Sequence, residues 1–123
     1  MTLSHHQILA RKGEDAAEEY LRKKKYQILL RNYRCPLGEM DLVAQKGKTL
    51  VFVEVKTRSS PNFGDPGEAV NSRKKKKLYQ LAEFYLKEKG LSDIDVQFDV
   101  LSILLSPDGS SFEISHFDRA IEF

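Results

Sequence analysis

Two acidic residues and a lysine near the middle of the chain form the most specific chemical pattern in the sequence. Asp41 lies in Gly38–Ala44, which has the pattern of a strand, and Glu54 and Lys56 lie in the next predicted strand, Lys48–Thr57. Hard divalent cations take oxygen ligands, and one or two carboxylates usually suffice because water and substrate phosphate complete the shell. Such a cation acidifies bound water, and a nearby ammonium stabilises a developing anion. The pattern therefore predicts metal-assisted chemistry on phosphates.

The connection between these two strands determines whether the acidic side chains meet. The segment Gln45–Lys48 predicts a tight hairpin. If Gln45 faces Lys48 across a two-residue turn, Asp41 faces Phe52 and lies diagonal to Glu54 on the same face of the sheet, roughly 7–8 Å away at the backbone. A three-residue loop would place Asp41 on the opposite face.

The same register brings three carboxylates together. Glu39 is expected opposite Glu54, beside Asp41, and Lys56 projects from that face too. Clustered carboxylates raise one another's pKa, so this group needs a compensating cation. The alternative is that Glu54 and Lys56 are ordinary surface residues on an edge strand. The apolar run Leu50–Val53 leading into Glu54 favours a central strand, where charges are costly.

The rest of the pattern predicts a sheet and two helices. Apolar spacing predicts a first helix from about Glu14 to Lys25, with Gly13 at its entry, and a second from Glu68 or Ser72 to Lys89. The turn-rich segment Ser59–Gly67 predicts a loop. Further strands are expected at Tyr26–Leu30, Ile94–Leu105 and Ser111–Phe117. The order α-β-β-β-α-β-β predicts the α/β class, with a mixed central sheet flanked by helices. Ile8 and Leu9 are expected in a separate short turn.

Length and composition limit the classes of protein. A chain of 123 residues with 41% hydrophobic content predicts a single domain over residues 1–123. The 20 basic and 18 acidic residues leave a net charge of +2, which excludes binding of polyanions by bulk charge alone. A single cysteine, Cys35, fits a reducing compartment. No apolar run approaches the ~18 residues of a membrane span, and Met1–Gly13 lacks the apolar stretch of a signal peptide. We expect a cytoplasmic protein that does not contact membranes.

Basic residues are concentrated near the start of the second predicted helix. In the run Arg73–Lys77, Lys74 and Lys75 fall one turn before the apolar stripe at Leu78, beside the face turned toward the sheet, whereas Lys76 and Lys77 turn away. The alternative is a solvated helix face. Side chains placed to contact substrate phosphate are Lys74, Lys75, Arg58, Arg34 and Arg31.

Other metal or nucleophile patterns are weak. His5 and His6 lack a matching second pair of ligands, and His116 stands alone in the sequence, so a structural zinc site is not expected. Cys35 has no neighbour that would mark it as a nucleophile.

Several segments together resemble a known family. They are Gly13-Glu14, Arg31–Arg34, Gly38–Leu42, Phe52–Arg58, Glu68–Val70, Lys74, Ala82 and Phe98–Val100. With these segments the chain resembles the YraN-like (UPF0102-type) family of small bacterial proteins, which is similar to the PD-(D/E)XK nuclease superfamily and to archaeal Holliday-junction resolvases. The resemblance covers almost the whole chain. It implies a restriction-endonuclease-like fold, in agreement with the element order.

The resemblance also implies roles for individual residues. Asp41 matches the first metal-binding aspartate, Glu54 the second acidic ligand, and Lys56 the lysine of the motif. Glu14 matches the first-helix glutamate that often completes the metal site. Met40 stands where the superfamily has the proline of its name.

The function implied is that of a Mg²⁺- or Mn²⁺-dependent nuclease that hydrolyses phosphodiester bonds in DNA, with branched or structured DNA as the substrate. A homodimer is expected by analogy with junction resolvases. The alternative is a noncatalytic nucleic-acid-binding or protein-interaction module that retains the fold. The intact set of Asp41, Glu54 and Lys56 favours the enzyme.

Overall fold

A mixed five-stranded sheet with a helix on each face makes up the part of the chain that the structure, a computed structural model, describes: residues 2–59 and 72–121. The elements are α1 (His5–Lys23), β1 (Gln27–Cys35), β2 (Gly38–Lys46), β3 (Thr49–Arg58), α2 (Ser72–Glu88), β4 (Asp95–Leu105) and β5 (Phe112–Ile121). The predicted class and element order are confirmed. Most of the predicted loop Ser59–Gly67 lies outside the described residues.

The strands follow one another across the sheet in the order β1-β2-β3-β4-β5. Strands β3 and β4 are parallel and are connected through α2, whereas the other neighbouring strands are antiparallel. β3 is therefore the central strand, with partners on both sides. The alternative that Glu54 and Lys56 lie on an edge strand is wrong.

Each helix covers its own face of the sheet. The apolar stripe of α1, including Ala17 and Leu21, packs against Leu42, Val53 and Leu101 on one face. On the other face α2 packs against the aromatic side chains of the sheet, among which Phe52 and Phe98 stack with their ring centroids 5.4 Å apart. Burial of each such side chain contributes about 1.5–3 kcal/mol relative to exposure. The two cores fix both helices relative to the end of β3.

Helix α1 begins earlier than the sequence predicted. Ser4 caps it with a reciprocal pair of hydrogen bonds, in which Gln7 N donates to Ser4 Oγ at 3.2 Å and Ser4 N donates to Gln7 Oε1 at 2.8 Å. Ile8 and Leu9 therefore lie inside the helix and not in a separate turn. Gly13 is likewise a buried mid-helix residue and not the helix entry.

Strand β1 is longer than predicted and changes face along its length. It continues to Cys35, which pairs with Gly38, because β2 supplies hydrogen-bonding partners along its polar second half. Asn32 has a φ of 57°, a conformation that asparagine tolerates better than most residues. Arg31 on one side of it contacts α1, and Tyr33 on the other packs on α2.

The hairpin between β2 and β3 is shifted by two residues from the predicted register. Lys46 pairs with Thr49 and Gln45 pairs with Leu50, so the turn is Gly47-Lys48, with Gly47 at a φ of 60°. The prediction that Gln45 faces Lys48 is wrong, as is the pairing of Asp41 with Phe52. Because a shift of two residues preserves the face, Asp41 and Glu54 still project from the same side.

The remaining boundaries differ in smaller ways. Strand β5 extends to Ile121 and not to Phe117, because β4 and β5 continue to pair as far as Phe98 and Ile121. Neither of the described helices is long and apolar enough to cross a membrane.

Candidate functional site

Asp41 lies where β2 and β3 stop pairing as regular strands. The last backbone pair of this ladder is Leu42 with Val53, and continuing it would set Asp41 opposite Glu54. Beyond this pair the N–H of Val55 donates to Asp41 Oδ2 at 2.7 Å. A side-chain carboxylate therefore replaces a backbone carbonyl of β2 as the acceptor. This fixes the Asp41 carboxylate next to β3, just beyond the last backbone pair of β2 and β3.

Several carboxylates surround that position. Burial raises the pKa of Asp41 from 3.8 to about 6, and the nearby charges of Glu14, Glu54 and Glu39 add to the increase, against the opposing hydrogen bond from Val55. Each of these acids disfavours ionisation of Asp41. A cation placed among them would relieve that repulsion.

Glu54 has one oxygen with a partner and one without. Lys74 Nζ, in the first turn of α2, lies 2.7 Å from Glu54 Oε1. Glu54 Oε2 is buried and receives no hydrogen bond from the described residues. A buried carboxylate oxygen left in this state is costly, and it is uncommon in folded proteins. This unpaired oxygen is suited to ligate a cation.

Glu14 approaches the cluster from α1. Its half-buried carboxylate accepts a hydrogen bond from Arg31 Nε at 3.3 Å. The same guanidinium binds Asp15 Oδ1 at 2.6 Å and Glu18 Oε2 at 3.3 Å. Arg31, predicted to contact phosphate, is therefore engaged with three carboxylates of α1 and holds this helix to β1. A phosphate would have to compete with all three.

Lys56 projects beside Glu54 from β3. Partial burial lowers the pKa of its ammonium, and the positive charges of Lys74 and Arg58 lower it further, while Glu54 opposes them. Two ammonium groups, those of Lys56 and Lys74, thus flank the Glu54 carboxylate. The sequence pattern predicted that Lys56 shares a face with Glu54, but it did not predict the ion pair of Lys74 with Glu54.

A cleft opens between the end of the sheet and α2. Its lining combines acids, lysines and apolar side chains: Gly38, Glu39, Met40, Asp41, Glu54, Lys74, Lys77, Leu78 and Leu81. Lys77 was expected to turn away from the sheet, and this is wrong. Its stem lies so close to Gly38 that Cε would be 3.4 Å from a β-carbon added there. Lys77 therefore adds a positive charge to the cleft that the helical spacing did not indicate.

The other predicted phosphate-contacting residues are not among those that line this cleft. Lys75 is half-buried near the start of α2. Arg58 Nη2 donates to Ser102 Oγ at 3.2 Å, at the end of β3. Arg34 is exposed, with its Nε 3.4 Å from Glu39 Oε2.

A second polar cluster lies apart from this cleft and was missed in the sequence. His116 Nε2 is 2.7 Å from the buried carboxylate of Asp99, and His116 Nδ1 is 3.2 Å from the hydroxyl of Tyr20. Tyr26 Oη donates to the same Asp99 oxygen at 3.3 Å, and Gln97 Nε2 to the other at 2.9 Å. His116 is therefore not alone. The sequence signal was the presence of Gln97 and Asp99 between apolar residues of a predicted strand.

This second cluster has the elements of a metal site. Asp99, His116 and Asp118 each offer a ligand atom, and these atoms all lie within 4.8 Å of one another. However, the Asp99 oxygens accept hydrogen bonds from four donors: His116, Tyr26, Gln97 and the backbone N–H of Arg119. Asp99 is satisfied without a cation, which distinguishes it from Glu54.

Comparison with known proteins identifies relatives over most of the chain. Residues 13–103 match the model of the family described as Uncharacterised protein family UPF0102. The UPF0102 protein of Clostridium acetobutylicum is 44% identical over 110 residues, which cover 89% of this chain and 90% of that protein. The UPF0102 protein of Geobacter sulfurreducens is 45% identical over 119 residues, covering 96% of this chain and 91% of that one.

Among solved structures, the Pyrococcus furiosus SfsA structure in complex with Ca²⁺ aligns with 96% of this chain at 18% identity and a TM-score of 0.41. This chain spans 65% of the length of that one. The match to the family model and the identity to its members establish the family: the chain belongs to UPF0102.

Proposed function

We propose that this protein is a divalent-cation-dependent phosphodiesterase that cleaves DNA, with branched or otherwise structured DNA as its substrate. The observation that carries the proposal is the buried Glu54 Oε2, which receives no hydrogen bond from the described residues and belongs to a carboxylate whose charge raises the pKa of Asp41. The resemblance of these residues to the nuclease motif supports the same assignment.

The donor set fits a hard cation. Asp41 and Glu54 offer carboxylate oxygens, and Glu14 adds a third carboxylate close enough to raise the pKa of Asp41. Oxygen-only ligation by few carboxylates is typical of Mg²⁺ and Mn²⁺, which keep several waters and take up substrate phosphate oxygens. In this proposal Asp41 and Glu54 hold the cation and Glu14 assists.

A cation held there would acidify a bound water and neutralise charge that develops on the phosphate. Lys56 lies beside Glu54, and burial together with Lys74 and Arg58 lowers its pKa. We assign to its amine the positioning of the attacking water by hydrogen bonding, and the stabilisation of the developing anion.

The positive side chains around the cleft would bind the nucleic-acid backbone. Lys74 and Lys77 line the cleft itself. Lys75 follows Lys74 in the first turn of α2, and the charge of Arg58 is close enough to lower the pKa of Lys56. Such contacts supply salt-dependent affinity and orientation but little sequence readout. This agrees with a substrate recognised by shape.

The direct test is cleavage of labelled single-stranded, duplex and four-way-junction DNA, with MnCl₂, MgCl₂ or EDTA. The matched negative control is Asp41→Asn, which keeps the size of the side chain and an acceptor for Val55 N–H. Cation-dependent cleavage that this substitution abolishes is expected. Salt-sensitive binding without cleavage, equal in both proteins, would instead support a noncatalytic binding module and overturn the proposal.

A further inference from the structure

The ion pair between Lys74 and Glu54 occupies part of the proposed cation site. Lys74 Nζ lies 2.7 Å from Glu54 Oε1, and the two side chains are 35% and 24% exposed, respectively. The pair joins α2 to the central strand across the cleft. The second oxygen of the same carboxylate, Oε2, is the one without a hydrogen bond from the described residues.

The start of α2 is electrostatically unfavourable for a helix. Its first turn contains Arg73, Lys74 and Lys75 and no acidic residue. Helix N-termini carry a partial positive charge, so cations in the first turn destabilise the helix by a few tenths of a kcal/mol each. Leu78 and Leu81, buried against the sheet, hold the helix in place. A local conflict of this kind is expected where charge serves a function.

We propose that Lys74 is an internal counter-ion of the site: a divalent cation that binds at Asp41 and Glu54 displaces its ammonium, which then binds a phosphate of the nucleic acid. This inference rests on the proposed function, because it takes the same two carboxylates as the cation ligands. Lys74 acts on the site through Glu54 and is a positioning residue in this scheme.

The geometry allows the exchange. The backbone of Lys74 is held in place, because Lys74 lies four residues before the buried Leu78 on the same side of α2. Its ammonium is a point charge on a flexible four-carbon stem, so it can move by several ångström while the helix stays in place. It would move within a cleft that Lys77 and Asp41 also line.

Two consequences distinguish this exchange from a purely structural ion pair. Competition with Lys74 weakens cation binding, so removal of the ammonium must tighten it. Release of Lys74 makes cation binding and nucleic-acid binding cooperative, and this coupling is reciprocal between the two ligands.

The first measurement is calorimetric titration of the protein with MnCl₂ in the absence of nucleic acid. Lys74→Met, which keeps the stem and removes the charge, is expected to bind Mn²⁺ at least threefold more tightly than wild type. Lys74→Arg restores the charge and is expected to bind nearly as wild type does. Lys76→Met is the matched control, because this exposed neighbour on the same helix loses the same charge; its Mn²⁺ affinity should stay within twofold of wild type.

The second measurement is binding of a labelled duplex DNA by fluorescence anisotropy at several salt concentrations, with and without MnCl₂. One released lysine adds about one unit to the slope of log affinity against log salt. Addition of Mn²⁺ should therefore steepen this slope by about one unit more in wild type than in Lys74→Met.

The outcomes separate the inference from the proposed function. If wild type binds no Mn²⁺, or if Asp41→Asn binds it equally well, the proposed function fails and the exchange fails with it. If wild type binds Mn²⁺ through Asp41 but Lys74→Met binds it equally or more weakly, the exchange alone is wrong. Circular dichroism melting of each variant verifies folding, and Lys74→Arg still tests the charge requirement if the methionine variant unfolds.

Discussion

The backbone N–H of Val55 donates a 2.7 Å hydrogen bond to the side chain of Asp41 at the point where β2 and β3 stop pairing. Without this contact, an N–H of the central strand would lose its partner in a partly buried place. The Asp41 carboxylate therefore has a structural role as an acceptor, in addition to the proposed role as a cation ligand. The two roles can be separated by substitution.

Asp41→Asn should stabilise the cation-free protein. The amide oxygen still accepts from Val55 N–H, while the charge repelled by Glu14 and Glu54 is removed. Since the pKa of Asp41 is raised from 3.8 to about 6, its ionisation at pH 7 opposes folding. We expect a gain of about 1–2 kcal/mol in the free energy of unfolding, from a cost of about 1.4 kcal/mol per pKa unit reduced for solvent screening. Urea unfolding in EDTA at pH 7 measures it.

Asp41→Ala is the companion variant. It removes the charge and the acceptor together, so it should be less stable than Asp41→Asn by about 1–3 kcal/mol, the cost of an unsatisfied buried N–H. Equal stabilities for the alanine and asparagine variants would show that the Val55 hydrogen bond contributes nothing.

Lys56→Met should separate catalysis from cation binding. Lys56 flanks Glu54 but has no carboxylate with which to ligate a metal, so its loss should leave a Mn²⁺ site in place. Loss of a preorganised stabilising donor typically lowers the rate about 10²–10³-fold. The cleavage rate at saturating Mn²⁺ should fall by this order, while calorimetry still detects Mn²⁺ binding. A variant that cleaves at the wild-type rate would remove Lys56 from the mechanism.

The sequence was sufficient for the features that depend on local pattern. Alternation along β3 and the apolar run before Glu54 correctly predicted a central strand that carries an acid and a lysine in its second half. The register was wrong by two residues, but a shift of two preserves the parity of the facing positions, and Asp41 and Glu54 line the same cleft. Glycine is unfavourable inside a helix, so Gly13 predicts a helix start that is too late, whereas Ser4 and Gln7 carry the capping signal.

Contacts between elements that are distant in the sequence could not be predicted from local patterns. The pairing of Lys74 with Glu54 depends on the placement of α2 over the sheet, which no spacing within either segment indicates. The same holds for His116 and Asp99, which meet because β5 pairs with β4. Short-range periodicity predicts the face a residue occupies but not its partner.

Asp99 should make the stability of the protein sensitive to acid. Burial raises its pKa, but hydrogen bonds from His116, the backbone of Arg119 and Gln97 outweigh this and hold it below the ordinary value. A group with a depressed pKa in the folded state contributes its full stability above its unfolded pKa of about 3.9, and loses it as the pH falls through the lower folded value. Urea unfolding at pH 7, 5, 4 and 3 should show this loss below about pH 4.

The matched variant is Asp99→Asn. In this variant an NH₂ group replaces one of the accepting carboxylate oxygens and therefore faces other donors. Because the side chain of Asp99 is fully buried, we expect a loss of about 3 kcal/mol at pH 7. The variant should also show less dependence on pH between 4 and 3 than wild type. If the cluster of Asp99, His116 and Asp118 instead requires a cation, EDTA would destabilise the wild-type protein as much as this substitution does.

Gly13→Ala tests the contact that positions α1 over the central strand. In an isolated helix the change from glycine to alanine is stabilising by about 1 kcal/mol. Here a β-carbon at position 13 would overlap with Thr57 Oγ1 and lie 2.7 Å from Thr57 Cβ, so α1 or β3 must move. We expect net destabilisation of about 2–3 kcal/mol, as for overpacked cores, measured by urea unfolding.

Gly13→Ala should also affect the candidate site, because Glu14 follows Gly13 directly in α1. A helix displaced from Thr57 carries the Glu14 carboxylate away from Asp41, so Gly13→Ala should also weaken Mn²⁺ binding in calorimetry. Thr57→Gly supplies the control, because it removes the side chain that a β-carbon at position 13 would meet. In that background Gly13→Ala should be neutral or stabilising and should leave Mn²⁺ affinity unchanged. If Gly13→Ala stabilises the otherwise wild-type chain, close packing of α1 on β3 is not what requires glycine at this position.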